Sequence, residues 1–133
     1  MQNADIPQMF RLNIEVGDMA AAAQLYAGLF GVEGRIQAGS RAYFRCGPVT
    51  LQVVDVSSQR APQPCPKALY FTVADLDAVH ARAQGLGALS ADEVHGAPGG
   101  EPVVRPWGER SFYVDDPWGN TFCFVEAGTV YAG

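Results

Sequence analysis

Alternation is the clearest signal in the first part of the chain. From Met9 to Val16 the order M-F-R-L-N-I-E-V puts Leu12, Ile14 and Val16 on one side and Arg11, Asn13 and Glu15 on the other. That period-two pattern belongs to a half-buried strand. Gly17-Asp18 interrupts it, and Asp18 is a good N-cap for the alanine-rich stretch that follows, Met19 to Phe30. There Ala22, Leu25, Tyr26 and Leu29 share one helical face, and Gly31 supplies a C-terminal stop. Short strand-like runs follow over residues 33–37, 42–46 and 49–56, separated by Gly39-Ser40 and Gly47-Pro48.

Residues 57–66, S-S-Q-R-A-P-Q-P-C-P, hold three prolines and no periodicity, as a semi-rigid connection does. The pattern then restarts. Residues 67–73 form a strand, and Asp75 caps a helix running to about Leu86 with Leu76, Val79, Ala83 and Leu86 on its apolar face. A further strand is expected around residues 89–93 and a loop over 96–102. The last two strands, 111–114 and 121–126, are joined by the turn D-P-W-G-N. At an offset of 57, Val16, Asp18, Met19, Gly28 and Leu29 fall on Val73, Asp75, Leu76, Gly85 and Leu86. At an offset of 71, T-L-Q-V-V-D from Thr50 falls on T-F-C-F-V-E from Thr121. The same order of strand, helix and three strands, met twice, predicts an α+β fold of two βαβββ modules within one domain over 1–133. The modules are expected over about 8–56 and 67–127, with 57–66 between them.

Composition agrees with that picture and narrows the partners. The chain has 133 residues, 48% hydrophobic and 17% charged, with 15 glycines and 9 prolines for turns. A net charge of −5 argues against nucleic acid, whose phosphates call for a basic surface. Mild acidity would suit a cationic ligand, although solubility alone accounts for it. Three widely spaced cysteines make no disulfide framework. With no secretory leader pattern and no long apolar segment, no membrane partner and a cytoplasmic location are expected.

Each module leaves one sheet face uncovered by its helix, so two such sheets side by side curve round a cavity. Arg11, Asn13 and Glu15 should face it, and a polar wall of that kind points to binding, since burying charge without a task costs free energy.

The strings R-L-N-I-E-V-G-D, L-Y-F-T-V-A-D-L and S-F-Y-V-D-D-P-W-G-N-T-F-C-F-V-E resemble the vicinal oxygen chelate superfamily of glyoxalases, bleomycin-resistance proteins and extradiol dioxygenases. The resemblance covers residues 10–126. It implies four metal-ligand positions, His or Gln opening each module and usually Glu in each module's fourth strand. Here those positions hold Arg11, Ala68, Gln52 and Cys123. Arginine has no lone pair to donate and alanine no ligand atom, so no metal and no cofactor are expected. His80, inside the second helix, and His95, in a loop, do not complete a site.

The resemblance then points to the metal-free branch, whose members sequester a small molecule and typically form homodimers. Candidate ligand-binding residues are Arg11, Asn13, Gln52, Tyr70, Trp107, Ser111, Tyr113 and Cys123. Each has a plainer reading. Tyr70 and Tyr113 are equally at home as packed aromatics, Arg11 and Glu15 as a bracing ion pair, and Trp118 as a packing residue. Trp107 is a candidate to stack on a flat ligand. Cys46 and Cys65 look structural and linker-exposed. Glu15 and Cys123 are weak catalytic candidates, and Cys123 has no predicted base beside it. A superfamily enzyme of unknown substrate, metal-independent or with an atypical site, remains the alternative. So do side-by-side and half-exchanged dimers.

Overall fold

A computed structural model describes residues 5–133. The first half runs β1 (Arg11–Val16), α1 (Met19–Phe30), β2 (Arg35–Gln37), β3 (Arg41–Cys46) and β4 (Val49–Asp55). The second runs β5 (Leu69–Val73), α2 (Leu76–Gly85), β6 (Glu93–Val94), β7 (Ala97–Pro98), β8 (Val103–Val104), β9 (Arg110–Asp115) and β10 (Thr121–Glu126). Two four-stranded mixed sheets result, ordered β1-β4-β3-β2 and β5-β10-β9-β8. In each, the first strand pairs parallel to the last and the remainder is antiparallel. This is an α+β fold of two βαβββ modules.

The duplication seen in the sequence is repeated in the register. Asn13 pairs with Gln52 across β1 and β4, while Tyr70 pairs with Cys123 across β5 and β10. Both helices start where expected, with Asp18 accepting from Ala21 N at 3.0 Å and Asp75 from Ala78 N at 3.1 Å. Gly31 closes α1 in the left-handed region, φ 72°, its N–H donating to Ala27 O, a conformation a side chain would strain. The strand expected around 89–93 is reduced to one bridge, Leu89 to Val114, and the loop beyond it folds into the small β6–β7 hairpin.

The helix-facing sides of both sheets share one core. Tyr26 of α1 lies against Phe44 of the first sheet and Phe122 of the second, with ring centroids at 6.2 and 5.3 Å. Phe30 likewise touches Phe44 and Phe71, at 5.4 and 5.5 Å. One helix therefore packs on both sheets, and each fully buried aromatic of this cluster contributes about 2–3 kcal/mol by removing its surface from water.

The turn D-P-W-G-N fastens the halves together. Asp116, buried, accepts from the Tyr26 hydroxyl at 2.5 Å, Trp118 N at 2.9 Å, and Asn120 N and Nδ2 at 2.8 Å each. Asn120 Nδ2 also donates to Glu15 O at 2.9 Å, and its Oδ1 accepts from Cys65 N at 2.8 Å. Cys65 is thus half-buried and anchored rather than linker-exposed, and burial pushes its thiol up from the ordinary value. Trp118 packs as expected, with its indole over Gly17, where a side chain would meet Nε1 at 2.9 Å. Among the described residues no helix is long and apolar enough to cross a membrane.

Glu15 does not brace Arg11. Both its oxygens take the guanidinium of Arg60, at 2.5 Å each, and Oε1 also accepts from Gln63 N at 2.9 Å. The connection between modules turns back onto β1, bringing Arg60 within reach. Arg11 instead lies over the ring of Phe10, 5.0 Å from its centroid.

Tyr26→Phe strips a donor from a buried carboxylate and should lower the unfolding free energy by about 1–3 kcal/mol, with Asn120→Ala costing more because three hydrogen bonds go at once. Urea denaturation reads both, and losses below about 0.5 kcal/mol in each would contradict the lock. The hydrogen bonds from Arg60 and Gln63 hold the Glu15 carboxyl down at about 2, against an ordinary 4.5. Its stabilising contribution is complete above pH 4.5 and lost as the pH falls toward 2. Carboxyl NMR titration should place its midpoint near 2 and return it toward 4.5 in Arg60→Gln.

Candidate ligand-binding site

The strand register arranges each open face in rows. On the first sheet these rows are Arg11–Thr50–Arg45, Asn13–Gln52–Tyr43–Arg35 and Glu15–Val54–Arg41–Gln37. On the second sheet Thr121 pairs with Asp115 in the first row, Tyr70–Cys123–Tyr113 make the middle row, and Thr72–Val125–Ser111–Val103 the last. Every expected site residue except Trp107 stands on one of these faces. Tyr43, at the position matching Tyr113, was not singled out from the sequence, though the repeat could have pointed to it.

The chain splits the expected set. Arg11, Asn13 and Gln52 belong to the first sheet; Tyr70, Ser111, Tyr113 and Cys123 belong to the second. No strand ladder joins β1 to β5 among the described residues, so both strands keep a free edge. Between the sheets lies an apolar groove of about 740 Å³, floored by Leu12, Phe30, Leu51, Phe71 and Phe124 and reached by Arg45 and Tyr70 at its rims.

On the second face the middle of the sheet is closed. Ser111, Tyr113 and Cys123 are buried, while Tyr70 is 61% exposed. Arg105, which carries no periodic signal in the sequence, is 3% exposed and covers them. Its Nε donates to Ser111 Oγ at 3.0 Å, Nη2 to Ser111 O at 3.2 Å and Nη1 to Val94 O at 3.4 Å. Its guanidinium also sits 5.2 Å from the Tyr113 ring centroid. Burial first, then the Tyr70 hydroxyl, pushes the Tyr113 phenol up. Burial likewise raises the Cys123 thiol, against opposing contacts from Ser111, Tyr113 and Arg105. A buried thiol held protonated is a poor nucleophile, and Cys123 packs with Tyr113 and Val125 instead.

Trp107 stands beside this face but is engaged. Its Nε1 donates to Glu109 Oε1 at 2.8 Å, and its ring meets His95 edge-on at 4.8 Å. Glu109 also accepts from Tyr131 N at 2.9 Å, which brings the C-terminal segment against a depression lined by Tyr70, Thr72, Trp107 and Val125. His80 braces the structure, Nε2 lying 3.0 Å from Gly100 O with the ring against Phe112.

The four implied metal positions do not suit a hard divalent ion. Arg11 and Gln52 stand on one sheet; Cys123 stands on the other, with Ala68 one residue before β5. One amide and one buried thiol are the whole donor set. Among the described residues no group of three or more His, Cys, Asp or Glu is placed to hold a metal. Glu15, bound to Arg60 and held at about 2, is a weak proton acceptor near neutrality.

Comparison with known proteins gives the same fold. A glyoxalase/bleomycin resistance protein from Albidiferax ferrireducens T118 is 21% identical, with 86% of this chain and 94% of that one aligned at a TM-score of 0.71. A lactoylglutathione lyase from Agrobacterium tumefaciens is 23% identical over 92% and 96% of the two chains, TM-score 0.63. A bleomycin-binding protein complexed with bleomycin is 15% identical over 91% and 98%, TM-score 0.64. Comparison with curated proteins gives no match. The Glyoxalase/Bleomycin resistance protein/Dioxygenase superfamily model matches residues 8–124, so the chain belongs to that superfamily.

Proposed function

We propose that this protein binds a small molecule without a metal and sequesters it; one structural neighbour is a bleomycin-binding protein complexed with bleomycin. The observation that carries the reading is the donor set: at the four positions where the resemblance implies metal ligands stand Arg11, Ala68, Gln52 and Cys123, which together offer one amide and one buried thiol. The enzyme reading is weakened by the state of its two candidates, Glu15 locked by Arg60 and Cys123 held protonated by burial.

The cavity is built by two chains. Arg11, Asn13 and Gln52 of one chain meet the exposed Tyr70 of its partner, which Ser111 and Tyr113 support from beneath Arg105, with each β1 coming beside the partner's β5. What supports this is the separation of the two faces within one chain and the two free strand edges that flank the groove. Unpaired edges of this kind are ordinarily covered. Tyr70, 61% exposed, is the aromatic anchor that a partner or ligand would cover.

Protein purified without a metal-affinity step and then offered nickel, zinc, iron and manganese should retain none near one equivalent per chain. In a thermal-shift screen that includes bleomycin, any compound that raises the melting temperature should do so equally in a chelator. One tightly held metal per chain, or binding abolished by the chelator, would overturn the reading. Iodoacetamide should alkylate Cys46 and Cys65 well before Cys123, as mass spectrometry of timed samples would show.

A further inference from the structure

The basic residues of the first half are segregated. Arg11, Arg35, Arg41 and Arg45 are the only lysines or arginines between residues 8 and 56, and all four stand on the open face of the first sheet. Three strands supply them. In β3 they alternate with the buried Ala42 and Phe44, so the core-facing positions fix where the guanidinium groups go.

Among the described residues no ion pair neutralises these charges. Among the described residues the ion pairs are Glu15 with Arg60, and Arg110 with Asp77 and Glu126. The nearby acids are engaged elsewhere. Asp18 caps α1, and Asp55 accepts from Met19 N and Ser57 N. Glu33 alone lines the same depression, and it forms no ion pair with the arginines. In a chain of net charge −5, four such arginines on one face run against the overall composition. The fold does not demand them either, since Asp115 takes the place of Arg45 in the second sheet and Ser111 that of Arg41.

Arg11, Arg35 and Arg45 border a depression of about 690 Å³ that also presents Phe10, Tyr43 and Thr50. Arg35 lies 4.9 Å from the Tyr43 ring centroid and Arg11 5.0 Å from that of Phe10, so two guanidinium planes rest on aromatic rings. Like charges gathered on one surface repel, and a shared anion relieves that repulsion. Guanidinium forks match carboxylate and phosphate oxygens in pairs.

Resting on the small-molecule reading above, we propose that this face recognises an anionic ligand, a carboxylate or phosphate group carried on an aromatic body. Arg35 and Arg45 hold the anion with Arg11, and Tyr43 and Phe10 flank the ring. Arginines outnumber acids on this face, where Glu15 is already paired with Arg60, so the cationic ligand that net charge alone would suggest is disfavoured here.

Isothermal titration of the full chain in phosphate-free buffer, using phenyl phosphate, benzoate, inorganic phosphate, benzamidine and benzyl alcohol, tests the proposal. Phenyl phosphate or benzoate should bind, with affinity falling as salt rises. Arg35→Gln and Arg45→Gln should each weaken binding by about tenfold or more, as loss of a charge-assisted pair does, while Lys67→Gln leaves it unchanged. All three positions are exposed, so the fold should tolerate the changes. Benzamidine or benzyl alcohol binding as tightly as the anions would overturn the anionic preference but leave the small-molecule reading standing. No binding of any probe, together with an empty ligand screen, would remove both. Inorganic phosphate binding as tightly as phenyl phosphate would overturn the role of the two rings. Arginine variants that lose self-association but keep anion affinity would assign the face to a second chain instead.

Discussion

A single buried carboxylate holds the two halves of this molecule in place. Asp116 accepts four hydrogen bonds, from Tyr26 in the first half's helix and from Trp118 and Asn120 in its own turn. Asn120 passes the connection on to β1 and to the segment between the modules. Buried charge is tolerated only when its lone pairs are filled, and here they are. With this lock made, α1 packs against both sheets, the aromatic core closes around Tyr26 and Phe30, and each sheet turns its other face away from the helices. The open faces, the free edges and the groove between them all follow from that arrangement.

The halves repeat their framework without repeating their chemistry. Register partners correspond row for row, so side chains at matching positions meet matching geometry. Yet the first face carries arginines and amides around Tyr43, whereas the second carries hydroxyls, a thiol and Tyr113 beneath a buried Arg105. A framework fixed by core-facing positions leaves the outward positions free to diverge, and divergence there is what changes what a site can hold.

Much of this was legible in the sequence because it is local. The alternation of Leu12, Ile14 and Val16, the caps Asp18 and Asp75, and the repeat itself depend on neighbours within a few residues. The split into two faces, with Arg11 and Gln52 on one and Cys123 on the other, was not legible, because alternation assigns a side within a strand and says nothing of how two sheets meet. What failed to show is what depends on contacts distant in sequence. Glu15 meets Arg60 because the connection folds back, and no local pattern announces that. Arg105 sits in a turn, where periodicity says nothing, so its burial over Ser111 came only from the structure. The weak strand near Leu89 lost to the β6–β7 hairpin because its residues find only one partner in the sheet.

On the proposed reading, each chain carries two half-sites that meet only when a second chain covers the free edges of β1 and β5. Backbone hydrogen exchange across a dilution series measures this without a known ligand. The account predicts a dimer whose Arg11–Val16 and Leu69–Val73 segments are protected together and lose that protection together on dilution. Exchange in both segments that is fast and independent of concentration would contradict it.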